Sequence, residues 1–396
     1  MVAPRRAWAA AVVLSLAAFL FVTTELLPIG LLTLIASDLH RSRSQVGLLV
    51  SGYAIVVVLG SVPLTMLTQR MPRRRLFGVT LVVFAAANAV AALASTYQVL
   101  AVARLTTGLT QAVFWSIVAP AVTGLFPVGV RGRVVALFST GPVLASVLGV
   151  PVGTWLGQQS GWRAAFAAVT VAGLVAAAAV VALLPSYRPA DGGAARGTAP
   201  DRRRFVVLLG ATAAAITGFL TFTTYVTPFL LDVGGFGAGS LAPLLFISGA
   251  AGVGGTIGVA RTIDAHPLGT LITPLALGTA VLFGLFAFGP VRPVTVVLLA
   301  GAGLAYSGFA ISLQGRMLQL APGNTDVASA AASTAFNAGI AAGALLGGGL
   351  LAGYGPRSLA LAGALLTLAA FTALAIDGRR SETAGRHAGE SLSSGR

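Results

Sequence analysis

Apolar residues dominate this chain in runs of about 20 or more, and short polar stretches end each run. A run of that length, wound as an α-helix, spans the roughly 30 Å hydrocarbon core of a bilayer. The pattern predicts twelve transmembrane helices, over 7–35, 45–68, 76–95, 98–126, 134–158, 164–184, 205–231, 240–260, 268–289, 293–319, 327–352 and 358–376. The first run, although preceded by Arg5 and Arg6, is far longer than the apolar core of a signal peptide and reads as an uncleaved helix. The expected order is therefore a six-helix bundle over 1–184, a linker over 185–204, a second six-helix bundle over 205–376, and a polar, disordered tail over 377–396. The linker, PSYRPADGGAARGTAPDRRR, is rich in Pro, Gly and charge and reads as flexible.

Composition sharpens this picture. The chain is 56% hydrophobic and only 9% charged, whereas soluble domains carry about 25% charged residues. The fold class is all-α integral membrane. Net charge is +15, but it does not point to nucleic acid. All the basic residues are Arg, and most sit in short loops rather than on one folded face interleaved with aromatics. With the N-terminus placed inside, 19 Arg fall on the cytoplasmic side, 5 (Arg41, Arg43, Arg163, Arg292 and Arg357) fall outside, and Arg104 lies within the fourth helix. That bias orients the chain in the cell membrane with both termini cytoplasmic. Cys is absent and the three His (His40, His266, His387) are scattered, so no metal centre or cofactor is expected.

The two halves repeat. Thr23-Thr24-Glu25-Leu26-Leu27-Pro28 in helix 1 matches Thr223-Thr224-Tyr225-Val226-Thr227-Pro228 in helix 7. Ser139-Thr140, Gly149, Gly153, Gly161 and Arg163 recur at constant offset as Ser333-Thr334, Gly343, Gly347, Gly355 and Arg357. Two same-sense repeats imply a pseudo-two-fold axis along the membrane normal and a central cavity between the bundles.

Several stretches in order, TTELLPIGLL at Thr23–Leu32, SQVGLLVSGYA at Ser44–Ala54, AVFWSIVAP at Ala112–Pro120, LGVPVGTWLGQQSGWRAAF at Leu148–Phe166, LAPGNTDVASA at Leu320–Ala330 and AFNAGIAAGALLGG at Ala335–Gly348, resemble the major facilitator superfamily. The resemblance is narrower to its twelve-helix drug/proton antiporters and bacterial sugar-efflux transporters. It implies alternating access by two rocking bundles, and export of a small molecule driven by inward proton flow. The chain departs from the family in the loop between helices 2 and 3. The acid of the usual pattern is Gln69 here, while Arg70, Arg73 and Arg74 remain; the sibling loop between helices 8 and 9 keeps an acid, Asp264. These residues are candidates for state-dependent pairing.

Glu25 is the one acid expected inside the hydrocarbon layer. An ionised carboxylate there costs several kcal/mol unless it faces a cavity or a partner, which makes it a functional candidate. Withdrawal from water favours the protonated acid, so the site can exchange a proton; the bland alternative is a Glu that merely ties helices together. Arg104 lies roughly 9 Å and Glu25 roughly 15 Å from the outer helix ends, close enough to interact in one state. The alternative for Arg104 is snorkelling to the interface. Candidate pocket residues are Tyr53, Phe114, Trp115, Phe222, Tyr225, Gln314, Phe336 and Asn337, because aromatics with a few amides suit a small, mostly neutral ligand. Glu25 and Tyr225, at equivalent repeat positions, are expected on opposite cavity walls. The ridges through Gly149, Gly153 and Gly157 and through Gly339, Gly343 and Gly347 suit tight helix packing, with a sliding contact between bundles as the sharper reading.

The expected partners are a small-molecule substrate, protons and the lipid bilayer, with no nucleic acid and a monomeric chain. A facilitator or importer of the same fold without proton coupling stays open. A membrane-embedded transferase is remote, since the ten acids form no close helix-spaced pair. Reporter fusions provide a first test: the N-terminus, the linker and the tail are all expected on the cytoplasmic side, and a linker reporting outside overturns the Arg-based topology.

Overall fold

The computed structural model describes residues 4–68, 71–127, 131–185, 200–262, 268–322 and 325–393. The described chain is helical throughout: α1 (Pro4–Asp38), α2 (Arg43–Thr68), α3 (Arg73–Ala92), α4 (Tyr97–Gly124), α5 (Arg131–Leu144), a π-turn (Ala145–Gly149), α6 (Val150–Ser160), α7 (Trp162–Leu183), α8 (Arg202–Thr223), α9 (Val226–Asp232), α10 (Leu241–Thr262), α11 (Gly269–Phe288), α12 (Arg292–Leu320), α13 (Thr325–Tyr354) and α14 (Arg357–Ser393). The fifth crossing is α5, the π-turn and α6 in succession; the seventh is α8 and α9. The described residues thus make twelve crossings, in two six-helix bundles. Eleven described helices are long and apolar enough to span a membrane on composition alone. The exception is α4, which carries Arg104, Gln111 and several Thr.

Most of the predicted linker, 186–199, lies outside the described residues, as do Gln69, Arg70 and Asp264. The second bundle starts earlier than the pattern implied, because Asp201 caps α8 by accepting from the Arg204 N–H at 3.0 Å. Helix α14 is described as far as Ser393.

Prolines within the helices leave carbonyls that lack a donor four residues on, and in hydrocarbon another side chain must supply it. Pro142 frees the Phe138 carbonyl, and Ser15 Oγ of α1 donates to it at 3.1 Å. Pro274 frees the Thr270 carbonyl, and Ser312 Oγ of α12 donates to it at 2.6 Å. The internal repeat is equally visible at one end of the bundles. Gly161 and Gly355 both take the left-handed backbone that glycine permits, at φ 83° and 78°. Each sets up an arginine that caps a neighbouring helix: Arg163 donates to the Ala94 carbonyl at 2.7 and 2.9 Å, and Arg357 to the Phe286 carbonyl at 2.7 Å. Arg163 also pairs with Asp38 at 2.7 Å.

We call the face on which the chain begins the near face, and the opposite one the far face. Among the described residues, the polar contacts that tie the bundles together lie in the far half. Arg43 pairs with Asp232. Ser44 Oγ donates to the Gly348 carbonyl at 2.8 Å, Gln158 to Ala238 at 2.6 Å and Thr227 Oγ1 to Ile29 at 3.3 Å. Gly249 of α10 crosses the π-turn so closely that a Cβ would sit 2.5 Å from the Ser146 carbonyl. Nearer the other face, Thr140, Ser333 and Thr334 are exposed. Among the described residues, the polar ties across the seam thus gather towards the far face.

The glycine ridges do not slide between bundles. Gly149, Gly153 and Gly157 receive Thr23, Leu27 and Leu31 of α1, all within the first bundle. Gly339, Gly343 and Gly347 receive α8, within the second. The reason is register: each ridge faces its own bundle's first helix, and the seam uses other glycines, Gly47, Gly249 and Gly348. A Cβ on Gly343 would lie 2.7 Å from the Thr217 carbonyl, which is backbone and cannot swing aside. Gly343→Leu is therefore expected to lower folded stability by at least the roughly 1–3 kcal/mol of overpacking, read as a fall in melting temperature of the purified protein. A variant that melts like wild type but fails to transport would return the ridge to the moving interface.

Candidate functional site

Helix α1 passes through mid-membrane with Pro28 inside it, so the Thr24 carbonyl has no donor from its own helix. Arg104 of α4 provides one. Its NH1 donates to the Thr24 carbonyl at 2.6 Å and its NH2 to the Glu25 carbonyl at 3.2 Å. Arg104 is 1% exposed, and its guanidinium lies 4.5 Å from the centre of the Tyr53 ring, a cation–π contact that gains strength away from water. Arg104 therefore does not snorkel. Nor does it form an ion pair with the Glu25 carboxylate; it is spent on main chain, within electrostatic reach of the acid.

The Glu25 carboxylate takes a different partner. Gln111 Nε2 donates to Glu25 Oε2 at 2.8 Å, and Tyr53 Oη donates to Gln111 Oε1 at 2.6 Å. Thr24 Oγ1 donates to Asn88 Oδ1 of α3 at 2.7 Å. Four helices of the first bundle thus share one polar network about Glu25, whose side chain is partly accessible while Tyr53, Asn88, Arg104 and Gln111 are buried. Sequence reasoning missed Gln111. It lies two helical turns after Arg104, hence on the same face of α4, and the rule that an amide in hydrocarbon needs a partner, applied to Gln314 and Asn337, points to it as well.

The other candidates separate. Trp115 is partly accessible, set edge-on to Phe138 at 6.0 Å, whereas Phe114 is core, stacked on Phe21 at 4.5 Å. Phe336 and Asn337 are partly accessible on α13, and Asn337 Nδ2 donates to the Ser333 carbonyl of its own helix at 3.0 Å. Phe222 is buried against Phe229. The side chain of Gln314 lies outside the described residues. Arg73 is buried at the start of α3 and Arg74 is partly exposed beside it.

Tyr225 does not face Glu25. It is fully buried in the far-face seam, where its hydroxyl donates to the Ala344 carbonyl at 2.9 Å and its ring fills the space beside Gly47 and Gly347. The physical reason is a break in the seventh crossing. Pro228 cannot bond the Thr224 carbonyl, α8 stops at Thr223, and Tyr225 adopts the non-helical pair φ −118°, ψ 27°. The break turns the side chain out of its repeat-equivalent position. The residue of the second bundle that does come within electrostatic reach of Glu25 is Tyr306 of α12. It is partly accessible and joins Phe219 (5.6 Å) and Phe336 (6.4 Å) in an aromatic wall. No motif in the sequence singles it out.

The model of the Major Facilitator Superfamily matches residues 14–334. Among solved structures, the human organic anion transporter MFSD10 (TETRAN) is 16% identical, with 94% of this chain and 100% of that chain covered at a TM-score of 0.70. A bacterial homolog of the human lysosomal transporter Spinster, solved inward-facing and occupied, is 15% identical, with 96% and 98% covered at a TM-score of 0.72. At such identities these structures speak for the fold alone.

A double-mutant cycle tests the anchoring of Arg104. Arg104→Ala leaves the Thr24 carbonyl and the Glu25 side chain without their cation and is expected to cost about 1–3 kcal/mol or more. In a Pro28→Ala background the amide N–H restored at position 28 can bond the Thr24 carbonyl, so the same change is expected to cost measurably less. Additive losses in thermal unfolding would mean that the proline and the arginine are not linked.

Proposed function

Because the chain belongs to the major facilitator superfamily, and is thus a multi-pass membrane transporter rather than an enzyme, we propose that it is a secondary active exporter that trades protons for a small neutral or weakly polar molecule. A sugar or an antibiotic-like compound is the substrate class meant. One observation carries the reading: Glu25, a partly accessible carboxylate at mid-membrane, rests on a neutral amide while the nearby cation is committed to main chain. Such an acid can gain and lose a proton without breaking a salt bridge. The partly accessible groups carried by the two bundles suit a neutral ligand. Trp115 on one bundle and Tyr306, Phe336 and Asn337 on the other are the partly accessible groups, mostly rings with a few hydrogen-bonding atoms. An anion is disfavoured beside Glu25, so the substrate in the human relative's name is not carried over.

In this reading the near face is cytoplasmic, in keeping with the Arg bias. Binding of substrate and release of the proton alternate as the seam closes on one side and parts on the other. An uncoupled facilitator would have no use for Glu25 and would tolerate its loss.

The test uses inside-out vesicles with an imposed pH gradient and a panel of sugars, glycosides and amphenicol-like compounds. Glu25→Gln keeps the shape and the contact with Gln111 but cannot cycle a proton, so uphill transport is expected to disappear while the protein stays folded and downhill exchange persists. Wild-type uphill rates in this variant would place coupling elsewhere.

A further inference from the structure

Gln111 is placed to do more than fill space. Its amide has one acceptor and a two-hydrogen donor end, and Tyr53 takes the acceptor. The donor end is thereby obliged to face Glu25, at 2.8 Å. Tyr53 is itself held, buried against the Arg104 guanidinium. An ionised Glu25 finds a charge-assisted donor on that side, the stronger kind of hydrogen bond. A protonated Glu25 keeps a carbonyl oxygen that can accept from Gln111, but that bond joins two neutral groups and is the weaker kind. The groups facing Glu25 are Tyr53 on α2, Arg104 and Gln111 on α4, and Tyr306 on α12; Asn88 on α3 reaches it only through Thr24. Of these, only Gln111 has a hydrogen bond to the carboxylate itself.

We propose that Gln111, oriented by Tyr53, is a positioning residue that holds the Glu25 carboxylate more firmly in its ionised form than when protonated, and so sets the pH at which the site loads its proton. The inference rests on the proton-coupling reading and adds to it the element that regulates the site. Tyr53, which the sequence placed in the pocket, acts through Gln111.

The experiment needs no substrate. The carboxyl band of Glu25 is followed by infrared difference spectroscopy as the purified full-length protein is titrated over about pH 5 to 9, and it is identified by its loss in Glu25→Gln. In Gln111→Leu the midpoint is expected to move to higher pH by about one unit, the size of one hydrogen bond to a charged group. Tyr53→Phe removes a single oxygen, keeps the fold in place should Gln111→Leu not fold, and is expected to shift the midpoint in the same direction by less. Gln111→Asn, too short to reach, is expected to behave like Gln111→Leu. A wild-type Glu25 band that titrates but does not move in Gln111→Leu or Tyr53→Phe overturns this inference and leaves proton coupling standing. A wild-type Glu25 that does not titrate in that range overturns both.

Discussion

A backbone carbonyl in the hydrocarbon core must be given a donor, since no water is there to supply one. Pro28 creates such a carbonyl at Thr24, in mid-membrane, and the Arg104 guanidinium fills it. Much of the candidate site follows from that bond. It keeps α1 helical through the proline, it holds the cation at this depth against main chain and the Tyr53 ring, and it leaves the Glu25 side chain to a neutral partner. A charge that would otherwise neutralise the acid in a permanent pair is thus near it without being bonded to it.

The seventh crossing shows what happens without the arginine. The same Thr-Thr-x-x-x-Pro pattern recurs there, but the stretch of α12 that corresponds to the Arg104 turn, Leu298–Leu304, is apolar. The helix breaks before Pro228, and Tyr225 swings into the seam. The same Thr-Thr-x-x-x-Pro frame therefore yields a continuous helix bearing an acid in one bundle, and in the other a kink bearing a seam residue. Elsewhere a hydroxyl suffices, as Ser15 and Ser312 do for the carbonyls freed by Pro142 and Pro274.

Contacts differ in kind within and between the bundles. Within each bundle, glycine ridges lock helices at distances that leave no room for a Cβ. Between the bundles, the far-face ties are a half-exposed ion pair, single hydrogen bonds and a few close glycine approaches. Exposed ion pairs are worth little, about 0–1 kcal/mol, so most of what holds the far-face seam is the close packing of α2 against α13 and of α10 against the π-turn and α6.

The sequence by itself determined the membrane class, the twelve crossings, the internal repeat and the presence of an acid, Glu25, in mid-membrane. Run length must match bilayer thickness, and a charge in hydrocarbon cannot go unexplained; both constraints act on single positions and can be read in one dimension. What only the tertiary structure decided is partnership. Arg104 bonds main chain rather than the Glu25 carboxylate, Gln111 is the acid's real neighbour, Tyr306 rather than Tyr225 approaches it from the second bundle, and the glycine ridges face inward. Each of these depends on the rotation and depth of one helix relative to another. An apolar run contains little record of either, because lipid and protein interior are both apolar, and a single proline can turn a side chain from the cavity to the seam.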